Sequence, residues 1–157
     1  MREILFRGKR LDNGDWVEGY LYEHEPPLVG IVSEKDEPEA SKWFIARTGF
    51  ADWNMPRPVE LVEVDPSTVG QYTGLKDKNG ERIFEGDVLK RYYDDLYADD
   101  AVIEHVVWFN NGWCANDVTN MTYEAYSIFK DDVIPYAEII GNIHDNPEFL
   151  KEGANND

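Results

Sequence analysis

The sequence predicts a mainly β protein that is built from short strands and contains little helix. Apolar and polar residues alternate with a period of two in most segments, and runs with helical periodicity are scarce. Asn-Gly pairs separate several of these segments and favour tight hairpin turns, because both residues accept positive φ angles. With 157 residues, of which 42% are hydrophobic, the chain can bury the core of one domain or of two small ones.

The first third of the chain predicts a hairpin, followed by an irregular segment. The turn Asp12-Asn13-Gly14-Asp15 joins a strand over 4–6 to a return strand over 16–22. Trp16, Tyr20 and Tyr22 share one face of the return strand, where packing in the core is the default expectation. Charged residues and prolines predict an irregular loop over 33–58, although Trp43 to Ala46 can form a strand inside it.

The pattern is sharper after residue 66. Asp77-Lys78-Asn79-Gly80 predicts a second tight turn, and Asn110-Asn111-Gly112 follows the longest β-branched run. A short strand, a Gly-Asp turn and a longer strand over 82–93 form the opening that many SH3-like barrels share. Pro147, preceded by Asn146, predicts a short helical turn. The predicted strands cover 4–6, 16–22, 28–32, 43–46, 59–64, 69–73, 82–84, 88–93, 101–109, 113–115, 126–129 and 137–143.

These elements suggest three regions. Residues 1–66 form an N-terminal β region with the irregular loop 33–58, residues 67–150 form an SH3-like β-barrel domain, and residues 151–157 form a disordered tail. Because about sixty residues with an irregular middle bury little surface alone, we expect the N-terminal region to pack on the barrel.

The charge is strongly negative and unevenly distributed. The net charge is −17, and residues 92–157 contain 14 acidic side chains against two basic ones, Lys130 and Lys151. Such a surface repels phosphate backbones, so we expect no direct nucleic-acid partner. The charge serves either solubility alone or the recognition of a protein with a basic surface.

The sequence predicts a cytoplasmic protein without a membrane segment. No apolar run approaches the roughly 20 residues of a membrane span, and the N-terminus lacks the pattern of a secretory signal. The single cysteine, Cys114, cannot form an internal disulfide, and we interpret it as a small core residue.

No motif for catalysis, metal binding or cofactor binding is present. Asp77-Lys78-Asn79-Gly80 resembles part of a calcium loop, but Leu75 and Gly86 stand where such a loop needs oxygen ligands. The three histidines, His24, His105 and His144, lack the spacing of a zinc site. There is neither a nucleophile elbow nor a phosphate-binding loop. We therefore predict a non-enzymatic protein with no cofactor and no metal.

Two stretches carry a family resemblance. One runs from Val69 to Gly80 and continues over Ile83-Phe84-Glu85-Gly86-Asp87-Val88, and the other runs from Glu138 to Leu150. Together with the opening residues 1–7, they resemble the YopX family of phage and prophage proteins. The resemblance implies an all-β fold with an SH3-like C-terminal part and a bacterial host cell. It implies no function and no catalytic residues. His144 stands where the family commonly has tyrosine.

The leading hypothesis is a phage or prophage accessory protein that binds another protein or itself. Two alternatives remain: an acidic mimic of nucleic acid that inhibits a host DNA- or RNA-binding protein, and a hydrolase that uses carboxylates with His105 or His144. A protein partner would contact aromatic anchors and acidic side chains. The candidate interaction residues are Trp43, Trp53, Asp94, Asp95, Asp99 and Asp100.

Overall fold

A computed structural model describes residues 3–26, 41–49, 58–92, 101–109, 111–117, 126–127 and 136–150. The chain divides into two compact units, the first comprising Ile4–Val69 and the second Gly70–Asp157 together with Met1–Glu3. The predicted strand 28–32, most of the predicted loop 33–58 and the predicted tail 151–157 lie outside the described residues.

The described residues are mainly β, as predicted, and their helical elements are two 3₁₀ turns, Pro66–Thr68 and Pro147–Leu150. The first unit contains β1 (Phe6–Lys9), β2 (Trp16–His24), β3 (Lys42–Thr48) and β4 (Val59–Val64). The second unit contains β5 (Gly70–Lys76), β6 (Arg82–Phe84), β7 (Asp87–Tyr92), β8 (Ala101–Phe109), β9 (Gly112–Asp117), β10 (Tyr126–Ser127) and β11 (Ala137–Asn142).

In the first unit, four antiparallel strands lie in the order β4-β3-β2-β1. The predicted Asn-Gly turn is confirmed: Gly14 has a φ of 76°, and Asn13 Oδ1 accepts a hydrogen bond from the Asp15 backbone N–H at 3.0 Å. The strand predicted over 4–6 was wrong in its bounds. The turn fixes Phe6 opposite Gly19 and Lys9 opposite Trp16, so the pairing lies beyond the apolar residues Ile4 and Leu5.

In the second unit, β5 and β6 form a hairpin, and five antiparallel strands lie in the order β10-β9-β8-β7-β11. The buried cluster of this unit consists of Ile83, Leu89, Val106, Trp113, Ala115 and Ala137. Within the described ranges no ladder joins β10 to β11, so the sheet is open. A closed barrel requires its edge strands to pair, and the SH3-like closure therefore stays a prediction.

Candidate protein-binding face

Strand β2 has one buried and one exposed face. Val17 is 3% exposed and Leu21 packs against the buried cluster of the first unit, whereas Tyr20 is 65% exposed and Tyr22 is 46% exposed. Successive side chains of a strand point to opposite faces, so the two tyrosines share the outer face. The prediction that Tyr20 and Tyr22 share a face is confirmed. The expectation that this face packs in the core was wrong, because the structure buries the opposite face.

Register extends the exposed face across β3 and β4. Tyr20 lies opposite Ala46, and Ala46 lies opposite Leu61, so the three side chains form one row across the sheet. A second row joins Tyr22 to Phe44. We call the resulting surface the open face, and its residues are Tyr20, Tyr22, Phe44, Ala46, Val59 and Leu61.

The open face is apolar and carries hydroxyl groups at one side. Val59 is 74% exposed and Leu61 is 52% exposed, while Phe44 and Ala46 are half-buried. The rings of Tyr22 and Phe44 lie 6.3 Å apart between centroids, and Tyr22 Oη lies 3.3 Å from His24 Nδ1. A contiguous exposed surface of this composition is typical of interaction sites, because tyrosine offers a rigid apolar body with a polar tip.

Charged side chains border the open face on both sides. On β1, the guanidinium of Arg7 lies 4.7 Å from the ring centroid of Trp16, and the Lys9 amine lies 5.5 Å from it. On the β4 side, the exposed Glu63 lies opposite Phe44 and shares the face of Val59 and Leu61. An apolar centre with a polar rim is the common anatomy of a protein interface.

A cleft of about 340 Å³ opens beside β4. Its walls come from the residues between β1 and the first hairpin turn and from β4 itself. The lining residues are Arg10, Leu11, Asp12, Glu60, Leu61, Val62 and Glu63. Arg10 donates to both carboxylate oxygens of Asp12, at 2.8 and 2.6 Å, and thereby holds the pKa of that carboxyl below its ordinary value.

The structure locates one of the predicted interaction residues. Trp43 lies on β3 opposite Val64 and is half-buried against the core cluster Val17, Ile45, Val62 and Val64, on the face away from Tyr20. Trp53, Asp94, Asp95, Asp99 and Asp100 lie outside the described residues. Sequence reasoning did not select Leu61 and Val59. Their signal is the alternation Val-Glu-Leu-Val-Glu-Val, whose buried members are Val62 and Val64.

The turn predicted at Asp77-Lys78-Asn79-Gly80 is confirmed, with the Gly80 N–H donating to the Asp77 carbonyl oxygen at 3.0 Å. The Asp77 side chain accepts hydrogen bonds from the backbone N–H groups of Asn79, Glu81 and Ile139. Burial alone would raise the pKa of Asp77, but these hydrogen bonds outweigh it and lower the pKa. The Asp77 carboxylate therefore has a structural role, because its hydrogen bonds join the turn to β11.

The two other motifs that carried the family resemblance are also structural. Gly86 has a φ of 81°, and the buried side chain of Asp87 accepts a hydrogen bond from the Phe84 N–H at 2.7 Å. Asn142 Oδ1 accepts from the backbone N–H groups of His144 and Asp145. These contacts join strands and turns, so both motifs stabilise the local backbone of the fold.

The residues considered for catalysis occupy separate elements. His105 lies on β8, where burial lowers its pKa, and His144 lies in the turn after β11. Cys114 is a buried residue of β9, as predicted, and burial raises the pKa of its thiol. Across the described part of the chain, no group of three or more His, Cys, Asp or Glu side chains is arranged to hold a metal ion.

These features define a mainly β protein of two units with an exposed apolar sheet face in the first. None of the helices in the described ranges is long and apolar enough to cross a membrane. The family model described as "YopX protein" matches residues 6–151. The chain belongs to the YopX protein family.

The solved structure of protein EF1440 from Enterococcus faecalis has the same fold. It is 21% identical to this chain, with a TM-score of 0.50, and the match covers 96% of this chain and 99% of that one. The comparison with curated proteins found no match.

Proposed function

We propose that this protein is a non-enzymatic protein-binding module, which serves as an accessory protein of a phage or prophage in the cytoplasm of its bacterial host. The observation that carries the binding role is the open face, where four large side chains, Tyr20, Tyr22, Val59 and Leu61, are each at least 46% exposed. Burying such side chains is the main source of affinity in protein interfaces. The family resemblance supports the phage setting.

The partner carries a basic surface around an apolar centre. The net charge of −17 favours encounter with a positively charged protein and opposes association between two copies of the chain. Long-range attraction of this kind raises the association rate, while the apolar contacts on the open face determine how long the complex lasts.

The nucleic-acid mimic remains the alternative that uses the same charge. It requires carboxylates at phosphate-like spacing on one face. Four of the acidic residues that could join such an array, Asp94, Asp95, Asp99 and Asp100, lie outside the described residues. The open face supports the protein-binding role instead, because an apolar surface does not imitate a phosphate backbone.

The test is affinity capture from bacterial lysate with the full-length chain and a Tyr20→Ser/Tyr22→Ser variant. Both side chains are exposed, so the variant should keep its fold and lose only contact area. We expect a partner that the wild-type chain retains and the variant loses, followed by direct measurement of its dissociation rate.

The matched control is Tyr136→Ser, which removes an exposed tyrosine from the second unit. It should retain the partner as well as the wild type does. A partner set that is identical for all three proteins would contradict a binding role for the open face.

A further inference from the structure

The outer edge of β4 carries backbone groups that point away from β3. The Gly49 N–H donates to the carbonyl oxygen of Pro58 at 2.9 Å, which places the even-numbered residues of β4 in the ladder with β3. The carbonyl oxygen of Glu63 instead accepts from the Leu11 N–H at 3.2 Å, on the other side of the strand. Because this direction alternates along an antiparallel strand, odd-numbered residues of β4 direct their N–H and C=O groups outward.

Only one end of this edge is occupied by the described chain. Lys9 to Leu11 run beside Val64, and the Asp65 N–H donates to the Lys9 carbonyl oxygen at 2.8 Å. The chain then turns away at Asp12. No hydrogen bond from the described residues reaches the outward N–H and C=O groups of Val59 and Leu61, and β4 ends the order of strands at this edge.

We propose that this edge binds an extended segment of another protein, which adds to β4 as a further antiparallel or parallel strand. Four outward backbone groups of Val59 and Leu61 would give the segment its hydrogen bonds, as in other cases of strand addition. The segment would continue the line that Arg10 and Leu11 begin, and the hairpin turn would stop it at one end. This inference rests on the proposed protein-binding function and specifies the partner's form.

The side chains around the edge define the chemistry of the segment. Leu11 is 60% exposed and lies with Leu61 in the cleft, so the segment presents apolar side chains there. Three carboxylates, from Asp12, Glu60 and Glu63, line the same cleft. Arg10 pairs with Asp12 and Arg47 pairs with Glu60, so the exposed carboxylate of Glu63 is the one open to a basic segment. The structure thus favours a segment in which apolar residues alternate with lysine or arginine.

A second copy of this chain is a poorer occupant of the edge. Pairing β4 with β4 of another copy would bring the carboxylates of Glu60 and Glu63 from both copies to one edge, and like charges near one another are destabilising. Each copy also carries a net charge of −17. A basic segment of a different protein meets neither obstacle.

The probe is a fluorescent hexapeptide in which valine and lysine alternate, titrated into the full-length protein by anisotropy. A peptide with glutamate in place of lysine should bind at least about tenfold more weakly because of the cleft's carboxylates. Two further lysine peptides are N-methylated on alternate residues, one on the valines and one on the lysines. Only one set of alternate amides faces β4 in an added strand, so one methylated peptide should bind like the parent and the other should not bind.

On the protein, Leu61→Pro removes an outward N–H and leaves the ladder with β3 intact, since proline is tolerated where an edge N–H faces solvent. We expect this variant to bind the peptide about three- to tenfold more weakly than Leu61→Ala, which keeps the N–H. Amide exchange in the wild-type protein should slow at Val59 and Leu61 when the peptide binds. These amides report strand addition independently of how well the proline variant folds.

Equal binding of the two methylated peptides, or unchanged exchange at Val59 and Leu61 at saturation, would overturn the inference. Peptide-independent dimerisation of the chain that Leu61→Pro abolishes would assign the edge to a second copy and overturn it too. If the lysine peptide does not bind while a captured partner still depends on Tyr20 and Tyr22, strand addition fails and the protein-binding function stands.

Discussion

Gly19 illustrates how a single residue lets β2 and β3 approach each other. A Cβ at this position would collide with the backbone carbonyl oxygen of Ala46 and lie 2.9 Å from Ile45 Cγ2. Neither atom belongs to the flexible end of a long side chain, so the strands would have to move apart. Glycine in a strand usually weakens it, and here the close approach is the reason for it.

We therefore predict that Gly19→Ala lowers the free energy of unfolding by about 1–3 kcal/mol. Gly112→Ala is the control, because an added Cβ there meets no atom within 4 Å. Urea unfolding of the two variants measures both effects. A Gly19→Ala variant as stable as wild type would show that β3 can shift without loss.

Asp77 is a second position where one side chain holds several parts of the backbone. Its carboxylate accepts three backbone N–H groups and is 6% exposed, so Asp77→Ala should leave these donors without their acceptor. We expect a loss of about 1–3 kcal/mol at pH 7.

The effect of Asp77→Ala should depend on pH. Because the folded-state pKa of Asp77 lies below its unfolded value, its contribution is fully present above the ordinary aspartate pKa of about 3.9 and is lost as the pH falls through the folded-state pKa. The difference in stability between wild type and variant should shrink on acidification below about pH 4. A difference that stays constant from pH 7 to about pH 2 would mean that the charged form is not the stabilising one.

The neighbouring strands β3 and β4 each carry an aliphatic residue, and the two differ in exposure and in their expected contribution to stability. Ile45 is fully buried, at 0% exposure, and Leu61 is 52% exposed. We predict that Ile45→Ala costs about 2–5 kcal/mol of unfolding free energy, whereas Leu61→Ala stays within about 0.5 kcal/mol of wild type. Denaturant titration compares them. Similar losses would indicate that the open face is covered in solution.

The strands themselves were largely predictable from the sequence. The bounds predicted for β4, β6 and β8 agree with the structure, because alternation and turn residues act locally. β1 was displaced, since its pairing depends on the hairpin register rather than on the apolar residues Ile4 and Leu5. The open five-stranded order of the second unit was not predictable, because it depends on pairing between distant strands such as β7 and β11.

The candidate site depends on how distant parts of the chain pair and pack, and this explains why the sequence did not reveal it. Alternation places Tyr20 and Tyr22 on one face but does not say which face is buried. That choice follows from which strands pair and from the core that Val17, Ile45 and Val62 form together. Without this information, the tryptophans of the irregular segment were the predicted interaction residues. Trp43 instead packs against that core.

The charge of the whole molecule leads to a prediction about association kinetics. With a net charge of −17, the chain should bind a basic partner with an association rate that falls steeply as salt rises, because exposed charges act over about 8 Å at physiological ionic strength. Replacing Asp94, Asp95, Asp99 and Asp100 with Asn should slow association more than it speeds dissociation, since long-range charge attraction acts mainly on encounter while apolar contacts set the lifetime. Surface plasmon resonance over a salt series measures the association and dissociation rates separately. The partner used is the one whose capture depends on Tyr20 and Tyr22. The Tyr20→Ser/Tyr22→Ser variant should show the reverse pattern, with faster dissociation and an unchanged salt slope. If association of the wild-type chain is indifferent both to salt and to the four substitutions, the acidity serves solubility alone, and a basic partner is no longer expected.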